Sequence, residues 1–73
     1  MDKRSMENLF LVIRNKGNVV VSIMLSRHSG KYHFVNLTKG HICSCAFDSV
    51  REAVADMQKK KDNAEIVDYV RIK

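Results

Sequence analysis

An α+β domain, with an antiparallel sheet of four or five strands and one helix packed on one face in the order ββββαβ, is what three features of this 73-residue chain predict. Two dense runs of β-formers, LFLVIR and NVVVSIML, flank an Asn-Lys-Gly triplet, which is a hairpin signal. A second triplet ending in glycine, Thr38-Lys39-Gly40, divides two further β-rich runs in the same way. One stretch with helical spacing follows, and then the β-rich EIVDYVRI.

Taken in order, residues 1–8 (MDKRSMEN) are polar apart from the two methionines and form a loose lead-in, leaving residues 9–73 as a single domain. A three-residue turn with Gly17 in the left-handed position pairs Arg14 with Asn18, and therefore Ile13 with Val19, Leu11 with Val21 and Leu9 with Ile23. In that register the odd-numbered positions make an aliphatic core face, while Phe10, Val12, Val20 and Met24 fall on the opposite, mixed face. The connection SRHSGK is too short for a crossover helix, so the strand from Tyr32 to Leu37 runs antiparallel to its predecessor. The second turn pairs Leu37 with His41, Val35 with Cys43 and His33 with Cys45, with a fourth strand extending from His41 to Phe47.

A helix then begins at Asp48 or Ser49. Ser49 and Glu52 have capping-box spacing, and Val50, Ala53, Val54 and Met57 recur on one face. It ends near Lys61 or Asp62, with three lysines at the negative end of its dipole. Residues 65–72 complete the sheet as a fifth strand, although Asp68 interrupts the row of Ile66, Val70 and Ile72.

Composition limits what such a domain can be. Apolar residues at 45% and charged residues at 29% are ordinary for a folded globule and exclude a disordered tail. The longest unbroken apolar run, Leu9 to Ile13, falls far short of the roughly 20 residues of a membrane span. A chain this short buries only about 60% of its unfolded surface, so its stability margin is thin and a partner copy would help. On a flat strand Cys43 and Cys45 sit too far apart to bridge, and unpaired thiols point to the cytoplasm.

His41, Cys43 and Cys45 alternate along one strand, with His33 opposite. Zinc knuckles, however, use a turn between their cysteines, so these are expected to be small core residues and no metal or cofactor is expected. A cysteine nucleophile would need a pocket and an oriented base that a shallow sheet does not supply, and no Ser-His-Asp set or phosphate loop is present. The chain is therefore expected not to be an enzyme.

The net charge of +5 lies wholly in the first 40 residues, where seven bases face two acids; the remainder balances. In an up-and-down sheet the turns at Lys16 and Lys39 share an end, and the helix brings Lys59, Lys60 and Lys61 back to it. Such a cluster suits nucleic acid or an acidic protein surface. Five aromatics, several of them needed in the core, leave little for base stacking. The patch of Phe10, Val12, Val20 and Met24 on the uncovered face suggests a homodimer, the alternative being that it covers the fifth strand or the terminus.

Residues 30–57, GKYHFVNLTKGHICSCAFDSVREAVADM with the strand-to-helix motif F-D-S-V-x-E-A, resemble short uncharacterised proteins carried by bacterial mobile elements and phages. That resemblance implies a small accessory or host-interaction protein, such as an inhibitor of a nucleic-acid enzyme. It carries over no functional residues.

Overall fold

The computed structural model describes residues 8–73. Strands β1 (Leu9–Ile13), β2 (Val19–Leu25), β3 (Tyr32–Asn36) and β4 (His41–Ile42) are followed by helix α1 (Val50–Asp62) and strand β5 (Asp68–Arg71). They build one antiparallel sheet in the order β4-β3-β2-β1-β5, with α1 across one face, so the chain is an α+β domain. Of the lead-in, residues 1–7 lie outside the described residues. Asn8 is anchored: its carbonyl accepts from the Ile23 amide at 3.1 Å and its Oδ1 from Arg71 at 2.8 Å.

Both hairpins are one residue longer in the turn than expected. Leu11 lies opposite Val20 and Val12 opposite Val19, and in the second hairpin Asn36, rather than Leu37, lies opposite His41. In each case the glycine closes a longer loop. Gly17 has φ +123° with its amide bonded to the Arg14 carbonyl at 3.2 Å, and Gly40 has φ +67° after Asn36 Oδ1 has accepted from the Lys39 amide at 3.0 Å.

Because side chains alternate with period two, a one-residue slip turns a strand over. Val19, Val21 and Ile23 stay in the core as expected, but Leu25 at the end of β2 leaves that row and is 50% exposed, and β1 is inverted. Phe10 (2% exposed) and Val12 (6%) lie beneath the helix, and Leu9, Leu11 and Ile13 face away. Phe10 and Val12 are therefore corrected from the self-association patch to the core, while Val20 and Met24 remain on the open face.

The core joins Phe10, Val12, Val19, Val21, Ile23 and Phe34 of the sheet to Ala53 and Met57 of α1 and to Ile66 beyond it. Phe34 packs edge-on against Phe47 at 5.1 Å, and Phe10 packs against Tyr69 at 6.2 Å. The opposite face carries Leu11, Val20, Val35, Ile42 and Val70, the last two 67% and 50% exposed, around Ser22, which is fully buried.

Helix α1 starts where its cap residues stand. Ser49 Oγ accepts from the Glu52 amide at 3.2 Å, and Glu52 Oε2 accepts from the amide of Asp48, not of Ser49, at 2.7 Å. The helix closes in a Schellman arrangement: the Ala64 amide bonds the Lys61 carbonyl at 3.0 Å and the Glu65 amide the Lys60 carbonyl at 2.8 Å. Ala64 sits there at φ +60°, a left-handed position that disfavours a β-carbon. The chain then returns to β1 through the Val67 amide and the Ile13 carbonyl at 2.8 Å, so the helix C-terminus lies at the end of the sheet that carries both hairpin turns.

Candidate anion-binding site

That end gathers the basic residues. The two turns are tied together by the Val20 amide, which donates to Thr38 Oγ1 at 2.8 Å, and by the Leu37 amide, which donates to the Val20 carbonyl at 2.8 Å. Lys16 and Lys39 are exposed on these turns. Lys59, Lys60 and Lys61 occupy the last turn of α1, but only Lys59 lacks a carboxylate partner among the described residues. Lys60 Nζ is 2.9 Å from Asp56 Oδ2 and Lys61 Nζ is 3.1 Å from Asp68 Oδ1. The Tyr69 amide and then Lys61 stabilise the Asp68 carboxylate and hold its pKa below the ordinary 3.8. Full positive charge at this end thus rests with Arg14, Lys16, Lys39 and Lys59, and is partly compensated at Lys60 and Lys61.

Between the sheet and the end of the helix opens a cavity of about 310 Å³. Its walls are Val12, Val19, Val21, Phe34, Met57 and Ile66, with Cys43 beside them. Arg14, Asn36, His41 and Lys60 form its polar part, and no carboxylate lines it. Arg14 is steadied by its own hairpin, its Nε donating to the Gly17 carbonyl at 3.1 Å.

Arg14 and His41 are the members of this site that spacing alone does not find. Arg14 is the last residue before a turn, where a basic side chain is ordinarily only solvated, and His41 stands out in the sequence only as a possible metal ligand. Their approach to Lys60 depends on the register of both hairpins.

The cysteines require a correction. Cys43 and Cys45 form a disulfide, with Cα atoms 5.4 Å apart, inside the range a bridge accepts. The expectation of free thiols assumed a flat strand from His41 to Phe47. Instead β4 stops at Ile42, the Cys43 amide bonds the Phe34 carbonyl at 2.8 Å, and pairing resumes only at Phe47 opposite Tyr32. The intervening residues bulge, which brings the sulfurs together. His33 therefore does not face Cys45; its Nε2 meets Ser29 Oγ at 3.0 Å. With no free cysteine, the thiol argument for a reducing compartment falls away.

At the opposite end of the sheet Lys31 is paired with Asp48, whose hydrogen bond and charge raise the lysine pKa. That compensates one of the three basic residues, Arg27, His28 and Lys31, which the connection between β2 and β3 carries. Among the described residues no cluster of His, Cys, Asp or Glu is grouped to hold a metal ion, and no helix is long and apolar enough to cross a membrane. Comparison of the chain with protein-family models, with curated proteins and with solved structures finds no match.

Proposed function

We propose that this protein is a small non-enzymatic binding module that engages an anionic macromolecular surface, nucleic acid or acidic protein, through Arg14, Lys16, Lys39 and the lysines of the last helical turn. The observation that carries this reading is the meeting of both hairpin turns and the helix C-terminus at one end of the sheet. Base stacking is not part of it. Phe10 and Phe34 are buried, Phe47 packs on Phe34, and the Tyr69 hydroxyl donates to Gln58 Oε1 at 2.7 Å. Contact would therefore be through charge, with little base selectivity. The resemblance of residues 30–57 to mobile-element proteins suits a host-interaction or inhibitor role, and the proposal does not depend on a cytoplasmic location.

Fluorescence anisotropy with random DNA and RNA at low salt tests it, comparing wild type with a variant carrying Lys16→Glu, Lys39→Glu and Lys59→Glu. Phosphate binding is expected to weaken steeply between about 50 and 200 mM salt and to be lost in the variant. Equal, negligible binding by both would remove nucleic acid and leave an acidic protein as the partner. An acidic protein surface is then probed with a polyglutamate peptide in the same pair, and failure there too would end the reading.

A second reading, self-association through the open sheet face, is favoured by that face's composition. Leu9, Leu11, Val20, Met24, Val35, Ile42 and Val70 occupy it beside the polar Ser22, His33 and Asp68, and a two-fold pairing would set its aliphatic positions against one another. Five strands about 4.8 Å apart and about 16 Å long present roughly 400 Å² per copy, about 800 Å² in total and below the about 1,000 Å² that a specific interface clears, so a dimer through this face alone would be weak.

A further inference from the structure

Protein interiors are close-packed, and voids larger than a water molecule are few. The pocket of about 310 Å³ under the helix end is not such a void: it opens to solvent, and is a cleft that a ligand can enter. Its chemistry is divided. Val12, Val19, Val21, Phe34, Met57 and Ile66 give it an aliphatic and aromatic body. Arg14 and Lys60 supply two cations, His41 a third group able to donate, and Asn36 an amide. Lys60 is partly satisfied by Asp56, but Arg14 has no carboxylate partner among the ion pairs of the described residues. A cation finds no anionic lining here and a sugar finds too few polar groups. An apolar chain ending in a carboxylate would match both halves.

We infer that the cavity is a binding site for a medium-chain alkyl carboxylate, its chain among the valines and Phe34 and its acid group at Arg14. This goes beyond the macromolecular reading, because Lys16 and Lys39 do not line the cavity. At about 310 Å³ the pocket stands at the small end of the roughly 300–1,000 Å³ of small-ligand sites, which suits a short chain such as octanoate. Guanidinium suits this role better than ammonium, since its fork can grip both carboxylate oxygens, and the Arg14 Nε bond to its own turn limits the ordering cost.

The test is a titration of the whole chain with octanoate, followed by amide and methyl NMR. Shifts are expected at Val19, Val21, Phe34 and Met57, with Kd between about 10 µM and 1 mM. Hexanoate should bind about fifteenfold more weakly, at about fourfold per methylene. Arg14→Gln should weaken octanoate about tenfold while leaving octan-1-ol unchanged, because only the acid loses its partner.

Filling the cavity with Val21→Phe should abolish both ligands. If that variant fails to fold, Arg14→Gln and the chain-length series still decide. No shift at about 10 mM octanoate, shifts confined to Leu11, Val20 and Val35 on the open face, or equal affinity in Arg14→Gln would each overturn the inference. Octanoate binding should survive Lys16→Glu with Lys39→Glu, which separates its fate from that of the polyanion reading.

Discussion

At the scale of single residues, the end of α1 shows how a local requirement is met imperfectly. The Schellman turn needs a left-handed residue after the helix cap, and alanine fills it at φ +60°. A β-carbon in that conformation costs roughly 1 kcal/mol relative to glycine. Ala64→Gly should therefore raise stability by about 0.5 to 1 kcal/mol, with glycine's greater unfolded-state entropy taking back part of the gain. Urea unfolding of the two proteins measures it, and a destabilised variant would mean that residue 64 is not left-handed in solution. The turn glycines are the opposite case. Gly17 and Gly40 hold positive φ where a side chain would be strained, and each sets the length of its hairpin loop.

At the scale of elements, β1 is decisive. All five of its residues, LFLVI, are apolar, so the strand carries no alternation from which its inner face could be read. The expectation that Leu9, Leu11 and Ile13 pointed inward depended on a three-residue turn, and the longer loop reverses it. Phe10, wholly enclosed between Tyr69 and the Arg71 guanidinium 5.3 Å above its ring, has far more to lose than Leu11 on the open face. Phe10→Ala should cost about 3 to 5 kcal/mol and Leu11→Ala markedly less. Denaturant midpoints of the two variants compare them directly, and the reverse order would restore the three-residue turn. The same register places Tyr69 opposite Val12, which commits β5 to the outer edge of β1.

At the scale of the whole molecule, one helix covers one face of a five-stranded sheet, and the chain has a second, aliphatic face with nothing from α1 upon it. If that face pairs with a second copy, sedimentation equilibrium should show a concentration-dependent rise from 8.4 kDa toward twice that mass, and Val20→Lys should abolish it without unfolding the chain. A single 8.4 kDa species at millimolar concentration would dismiss the dimer. The basic end and the cavity lie elsewhere and do not depend on this outcome. Their residues come from β1, β2, β3, β4, both hairpin turns and the helix, so this end is assembled only when strands distant in sequence have paired.

The sequence by itself determined the order of elements, the site of each turn, the stripe of α1 that meets the sheet and the cap at Ser49. Each of these depends on neighbours a few residues apart: glycines in left-handed turns, a serine three residues before a glutamate, and apolar side chains every three or four positions. Only the tertiary structure decided the register of both hairpins, the inward face of β1, the bridging of Cys43 to Cys45 and the cavity between Arg14 and Lys60. Local chemistry leaves a three-residue and a four-residue turn close in energy, and an unbroken apolar strand is equally content with either face inward. The choice falls to contacts between distant segments, Phe10 with Tyr69 and Phe34 with Phe47, and everything that depends on which way a strand faces follows from them.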